Sequence, residues 1–388
     1  MTEIFIEQAD WLIGENWQKE CTLTVQNGTF KDIQANKANA QSKGISFGEP
    51  VHVVPGFIDV HIHGTAGADV MDGEAQALET MRKALLSEGT TSFLPTTITQ
   101  SIGNKHRALQ TIKETMTNQS KTSGAEIIGV HLEGPFINKV RAGAQPEQYI
   151  IEPDMDLFRE LQQSAGGSIK IVTYAPEKDE KGFGNQLMKE GVIASPGHTD
   201  ASYEDLRPWI ESGGNHMTHM FNQMRGVHHR DIGTAGTGLL SSQVKTELIA
   251  DGIHVSPPAI ELLYKNKGAD GIILITDSIR AKGMKDGHYQ LGGQDVTVSG
   301  KEATLADGTL AGSILPMNEA VKNMMAYTGC TLAQAVRMAT VNPAEQLEIA
   351  DRKGSIAVGK EADFTVLSKQ GDVLATYIGG EEVFRRNN

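Results

Sequence analysis

The stretch Pro55-Gly56-Phe57-Ile58-Asp59-Val60-His61-Ile62-His63-Gly64 decides the fold class. Its apolar run reads as a strand buried on both faces, as in a parallel sheet covered by helices. Two parallel architectures compete for such a chain. A doubly wound sheet carries a glycine-rich phosphate loop after its first strand, whereas this strand ends in two histidines followed by Gly64-Thr65-Ala66-Gly67. A (β/α)8 barrel gathers its functional groups at the C-terminal ends of its strands, which is where the two histidines fall. Side chains two residues apart leave the same face of a strand, so both imidazoles can reach one ion.

Outward from this strand, Gly56–His61, seven more short apolar segments suit a barrel. They are Thr91–Pro95, Ile127–Leu132, Ile169–Tyr174, Val192–Ser195, His216–His219, Glu247–Ala250 and Ile272–Thr276. Helical periodicity between them is clearest over Glu74–Ser87, Tyr203–Glu211 and Ala259–Lys265. Both ends of the chain are strand-like instead. Ile4–Ile6, Trp11–Ile13 and Leu23–Val25 are separated by turn signals at Gly14 and Asn27-Gly28, and Gly354–Gly359, Asp363–Leu367 and Val373–Ile378 follow the same pattern. The expected organisation is an α/β protein: a (β/α)8 barrel over residues 55–353, with a small β-sandwich domain built from residues 1–54 and 354–388.

Composition narrows the function. The 388 residues carry 35 Lys and Arg against 48 Asp and Glu, a net charge of −13, which argues against nucleic acid as a partner. A local cationic pocket for a small anion is still compatible with it. Hydrophobic residues at 39% and charged residues at 21% describe a globular chain, not a disordered one. Two cysteines, Cys21 and Cys330, exclude a disulfide scaffold and fit a reducing compartment. No apolar run approaches the ~18 residues of a membrane helix, and Glu3, Glu7 and Asp10 stand where a signal peptide would be basic. A cytoplasmic protein without a membrane partner is expected.

Four further strand ends carry chemistry: Val130-His131-Leu132-Glu133-Gly134-Pro135, Pro196-Gly197-His198-Thr199, Met217-Thr218-His219-Met220 and Ile275-Thr276-Asp277-Ser278. A carboxylate following a buried apolar run is unfavourable by several kcal/mol unless it is paired or bound to metal. Each motif alone is weak evidence. Together, five strand ends supplying His61, His63, Glu133, His198, His219 and Asp277 form a strong constellation of metal-ligand type. His131 shares the face of Glu133 and is expected to support the site rather than ligate.

The opening motif resembles that of the amidohydrolase superfamily. The runs His131–Phe136, Gly197–Thr199, His219–Asn222 and Ile249–His254 resemble one branch of it, the N-acetylglucosamine-6-phosphate deacetylases, and the likeness extends from about Val53 to Gly359. The resemblance implies Glu133, His198 and His219 as ligands of the principal metal, His61 and His63 as holders of a second ion, and Asp277 as the catalytic acid and base. The cofactor is then one or two divalent ions per chain, Zn, Fe or Mn, with two favoured by the intact His-x-His pair. Ala144, Gln145, Asn222, Gln223, Arg230, His254, Leu310, Ala311 and Gly312 match substrate-contacting positions. Many members carry His at position 145 and Ala at position 223, so the two glutamines are departures. The implied reaction converts N-acetyl-D-glucosamine 6-phosphate to D-glucosamine 6-phosphate and acetate, in amino-sugar catabolism and cell-wall sugar recycling, by a homodimer. His228-His229-Arg230 suits the phosphate.

Two rivals remain open at this point. Another amidohydrolase acting on a cyclic or linear amide would bridge its metals with a carboxylated lysine from the fourth strand, where this chain has Thr173-Tyr174-Ala175-Pro176-Glu177. A non-catalytic barrel scaffold would be expected to have lost metal ligands.

Overall fold

In the computed structural model, which describes residues 1–35, 44–120 and 122–387, each of the eight apolar segments contributes a barrel strand. They are β1 (Phe57–Ile62), β2 (Thr90–Thr97), β3 (Val130–Glu133), β4 (Ile169–Tyr174), β5 (Ile193–Pro196), β6 (His216–Met217), β7 (Lys245–Ile249) and β8 (Ile272–Ile275). After them come α1 (Ala75–Ala84), α2 (Ile102–Asn118), α3 (Met155–Ser164), α4 (Phe183–Lys189), α5 (Tyr203–Glu211), α6 (Gly233–Leu240), α7 (Pro257–Lys267) and α8 (Met317–Thr328), one per strand. Helix starts follow local chemistry. The side chains of Ser101, Asp154 and Ser202 accept from backbone N–H groups of the first turns of α2, α3 and α5.

Strands β1 to β5 pair in parallel, as do β6 to β8. Backbone hydrogen bonds at both seams join the two arcs. Thr218 N–H donates to Pro196 O at 3.0 Å, and Asp277 N–H donates to His61 O at 2.8 Å. Asp59 reinforces the second seam: its buried carboxylate accepts from Thr276 Oγ1 at 2.5 Å and from His61 N at 3.2 Å. Burial pushes its pKa up to about 6 despite these donors. The expected segment Ile127–Leu132 is split at Ile128-Gly129, where Gly129 has φ +153° and an added Cβ would meet Ser168 O at 3.0 Å.

The chain termini form two further sheets. One has Thr2–Phe5, Thr22–Gln26 and Thr29–Gln34; the other orders Glu381–Arg385, Val373–Ile378, Phe364–Ser368, Val51–Pro55, Ala9–Ile13 and Asn16–Lys19. Their facing sides bury Ile4, Leu23 and Phe30 against Trp11, Val53 and Phe364, with Phe364 stacked on Tyr377 at 4.4 Å. Each such side chain contributes about 1.5–3 kcal/mol on burial. Gly354–Gly359 is not a strand, contrary to expectation. Glycines with φ of +84° and +89° turn the chain at both ends, and only Ile356 bridges to Ile13.

A three-stranded antiparallel sheet after β8, Gly287–Leu291, Gln294–Ser299 and Glu302–Thr304, was not anticipated. Its Leu291, Val296 and Val298 pack with Ile98 and Ile279 in a separate apolar cluster beside the barrel mouth. Among the described residues, no helix is long and apolar enough to cross a membrane.

Candidate metal centre and active site

The C-terminal ends of β1, β3, β5, β6 and β8 converge on one point. Glu133 Oε1 lies 3.2 Å from both His198 Nε2 and His219 Nε2, and those two nitrogens are 3.1 Å apart. On the other side, Glu133 Oε2 is 3.2 Å from His63 Nε2, and His61 Nε2 is 3.4 Å from Oε1. Asp277 Oδ1 faces the same pair, at 3.2 Å from His63 and 3.5 Å from His61. The residues form two overlapping trios, Glu133–His198–His219 and His61–His63–Glu133, with Glu133 shared.

These donors fit divalent ions. Four-coordinate bonds of ~2.0–2.1 Å to nitrogen and oxygen hold neighbouring ligand atoms roughly 3.3 Å apart, as the shared trio does. His61 Nε2 is buried with no hydrogen-bond partner among the described residues, a vacancy that a cation satisfies. Ring orientations agree. Nδ1 of His198 is 2.8 Å from Arg141 O, that of His63 is 3.1 Å from Thr96 O, and that of His61 is 2.9 Å from Glu247 Oε2, so Nε2 is the inward atom in each. His219 Nδ1 is the exception, buried without a hydrogen-bond partner among the described residues.

The electrostatics are those of a closely packed charge cluster. Burial works against charge on Glu133, but His61 and His198 together with hydrogen bonds from His198 and His219 hold its carboxyl well below the usual range. Asp277 is likewise lowered against its burial by His61 and His63. Burial opposes protonation of His63, yet Asp277 and Glu133 lift it to about 9. The backbone is strained at the same place: His198, His219 and Asp277 have φ of +47°, +23° and +46°. Left-handed non-glycine residues cost about 1–3 kcal/mol each and collect at functional sites.

A cavity of about 300 Å³ opens over this cluster. His63, Glu133, His198, His219 and Asp277 line it, while His61 is fully buried. Of the substrate-contact candidates, Ala144, Gln145, Asn222, Gln223, His254, Leu310 and Gly312 line it. Ala311 is buried and is not in the wall. Arg230 also stands outside the wall, exposed, with its guanidinium 2.6 Å from His229 Nε2. The Gln145 amide donates to Glu133 Oε2 at 2.6 Å and its carbonyl accepts from Thr99 N at 2.8 Å. His254 is tied to Asp251 at 2.6 Å, which raises its pKa over the opposing effect of burial. Among the described residues no lysine lines the cavity, and the arrangement of a carboxylated-lysine hydrolase is not the one they form.

Three contributors escaped the sequence reading. Glu247 is fully buried and bonded to His61 and His216. Its signal was a carboxylate opening an apolar run. Lys105, on α2, directs Nζ to Thr97 Oγ1, Glu133 O and Gly134 O at 3.1, 3.2 and 2.9 Å. The Thr173 hydroxyl donates to His131 Nε2 at 2.7 Å, while His131 Nδ1–H donates to Val60 O at 3.0 Å. Both nitrogens of His131 are therefore occupied, as a supporting residue requires.

Comparison with known proteins agrees with this geometry. The amidohydrolase family model matches residues 52–383. The N-acetylglucosamine-6-phosphate deacetylase of Bacillus subtilis is 49% identical over 334 residues, 86% of this chain and 84% of its own. That of Lysinibacillus sphaericus is 41% identical over 380 residues, covering 94% and 97%. A mutant N-acetyl-D-glucosamine-6-phosphate deacetylase from Mycobacterium smegmatis, solved in complex with N-acetyl-D-glucosamine-6-phosphate, superposes with a TM-score of 0.91 at 30% identity, covering 99% of this chain and 100% of that one. With the family model spanning most of its length and relatives this similar across nearly all of it, the chain belongs to the amidohydrolase family.

Proposed function

We propose that this protein hydrolyses the acetamide of N-acetyl-D-glucosamine 6-phosphate, giving D-glucosamine 6-phosphate and acetate, in amino-sugar catabolism and cell-wall sugar recycling. The observation that carries the reading is the convergence of Glu133, His198 and His219 within 3.2 Å of one another, with Asp277 facing the same cavity. Relatives named for this activity support the choice of substrate. Glu133, His198 and His219 would hold the principal ion and His61 and His63 a second, with Zn, Fe and Mn all suited to such ligands. Bound there, a divalent cation lowers the pKa of water toward 7 and polarises the amide carbonyl.

The protein's own groups supply the proton transfers. The Asp277 carboxylate accepts a proton from the attacking water and returns it to the amide nitrogen, which leaves poorly as an anion. Two sequential transfers by one group need it ionised at the outset, the ordinary state of a carboxyl group near neutral pH. His254, held by Asp251, donates a hydrogen bond toward the substrate. Gln145 fixes the free edge of Glu133, and Ala144, Asn222, Gln223 and the Leu310-Ala311-Gly312 segment bound the sugar. Arg230 turns from His229 to the phosphate. Residues 55–353 act as the catalytic barrel and residues 1–54 and 354–388 as its β-sandwich partner. A cytoplasmic homodimer completes the reading, supported by two buried free thiols and by exposed Val140 and Val227 on the loops after β3 and β6.

Acetate release from N-acetylglucosamine 6-phosphate, measured beside metal content and after chelation, tests the proposal. Turnover that persists in metal-free protein, or its absence in metal-loaded protein, would refute it.

A further inference from the structure

Glu247 is a carboxylate for which the proposed reaction has no use. It stands in β7 with no solvent exposure. Its Oε2 lies 2.9 Å from His61 Nδ1 and accepts from His219 N–H at 3.2 Å, and its Oε1 lies 2.9 Å from His216 Nε2. Its backbone carbonyl accepts from Met220 N–H at 2.8 Å. One residue thus grips an imidazole of one ion position and the backbone of the other. The His61–His131–Glu247 trio is itself compact enough to suggest an ion. Both nitrogens of His131 and Nδ1 of His61 are engaged in hydrogen bonds, however, so a hydrogen-bond network accounts for it.

We propose that Glu247 is a positioning residue that makes the His61–His63 ion position usable and ties it to the Glu133–His198–His219 position. A neutral imidazole has one N–H and one lone pair. Accepting the Nδ1 proton commits Nε2 of His61 to present its lone pair toward Glu133 and Asp277. The opposite tautomer would set the Nδ1 lone pair against the lone pairs of Glu247 and aim an N–H into the ion position. His131, which packs edge-on against the His61 ring at 4.4 Å, cannot take over this task, because both of its nitrogens are already spent. The bond to His219 N–H acts at a residue with φ +23°, so the same carboxylate also steadies a strained turn carrying a ligand of the neighbouring position. The inference rests on the metal reading above and adds to it a residue that touches neither ion nor substrate.

The test compares zinc stoichiometry and dissociation constants of the wild type with Glu247→Gln and Glu247→Leu. Outer partners of ligating histidines change metal affinity by about 10–100-fold. Glutamine keeps one carbonyl oxygen for His61 while its amide faces His216, whose Nδ1 is without a partner and leaves that ring free to change tautomer. Glu247→Gln should therefore weaken the second ion by less than about 10-fold, and Glu247→Leu, which offers no acceptor, by about 10–100-fold or more. The ion at Glu133, His198 and His219 should stay bound in both. A leucine variant that holds both ions as tightly as the wild type overturns the proposal. If that variant does not fold, long-range ¹⁵N–¹H spectra of the zinc-loaded wild type show which nitrogen of His61 carries the proton. Nδ1 is expected, and a proton on Nε2 overturns the proposal. A wild type that binds only one ion overturns the reading of the His61–His63 pair and this inference together, whereas two ions in the wild type and an unweakened second ion in the leucine variant overturn this inference alone.

Discussion

Replacing Asp277 with asparagine separates chemistry from architecture. The backbone of Asp277 donates to His61 O and accepts from Ser313 N–H, both at 2.8 Å, and neither bond involves the side chain. Asparagine is among the few residues at ease at a φ of +46°. Its carboxamide has the same shape and still offers an oxygen to His63 Nε2, now 3.2 Å from Oδ1. The substitution also relieves the repulsion between Asp277 and the Glu133 carboxylate that opposes ionisation of Asp277. Fold and ion binding should therefore survive, with a melting temperature close to that of the wild type. What disappears is a group able to take a proton from water and deliver it to nitrogen. General acid–base catalysis is worth about 10²–10⁴ in rate, or roughly 2.7–5.4 kcal/mol of barrier at 1.36 kcal/mol per tenfold. Steady-state acetate release by metal-loaded Asp277→Asn should show kcat reduced at least ~10²-fold with metal content unchanged. A kcat within tenfold of the wild type, at equal metal content, would remove Asp277 from the proton transfers.

The paired substitution His61→Ala and His63→Ala should leave one ion on Glu133, His198 and His219, as read by metal analysis after gel filtration. Retention of two ions would detach the β1 pair from metal binding. Arg230→Ala should raise KM for the 6-phosphate sugar by roughly 10- to 150-fold, the range of one charge-assisted contact of ~1.5–3 kcal/mol, while scarcely changing the slow reaction of N-acetylglucosamine. An unchanged preference for the phosphate would place the anion elsewhere. Lys353 is 3% exposed and lies 2.8, 2.6 and 2.5 Å from Glu126, Glu361 and Asp363. Removing a buried partner of this kind costs ~3–5 kcal/mol, so Lys353→Met should lower the melting temperature by several degrees. Burial opposes the charge on Lys353, but the three carboxylates raise its pKa above the ordinary value. Its contribution is then complete below about pH 10.4 and is lost as pH rises through the higher folded value, so the gap between wild type and variant should narrow only in strong alkali. A gap that narrows between pH 6 and 9 would contradict this assignment.

The barrel was legible because its strands are buried on both faces and so read as apolar runs, five of which end where a candidate ligand or proton-transfer residue begins. That coupling of run and terminal polar residue makes Glu133, His198, His219 and Asp277 visible in the sequence itself. The helices were legible from their periodicity, most closely over Tyr203–Glu211, and the structure adds that Ser202 and Asp205 cap each other across the first turn of α5. The antiparallel insert after β8 was hidden, since Gly287–Leu291 and Gln294–Ser299 alternate weakly with exposed polar residues and carry no chemistry of their own. Gly354–Gly359 misled in the opposite direction. Its alternating pattern suits a strand, but glycines in left-handed conformations at both ends take the chain through a turn.

What the sequence withheld about the site is the set of long-range partners. A strand end shows that a histidine is present, but not which nitrogen faces inward. That is decided by acceptors such as Thr96 O, Arg141 O and Glu247, which lie 33, 57 and 186 residues away from the rings they hold. Likewise, Gln145 reads locally as a departure from the common histidine, while in space it bonds the carboxylate shared by both trios. The carboxamide is neutral, so it steadies Glu133 without adding a fifth imidazole to the four already beside that carboxylate. If that is its role, Gln145→His should perturb the Glu133 half of the site first, weakening the principal ion before it affects the sugar. Metal affinity and KM measured on the same Gln145→His protein would separate the two, and a rise in KM with unaltered ion binding would return Gln145 to the substrate wall alone.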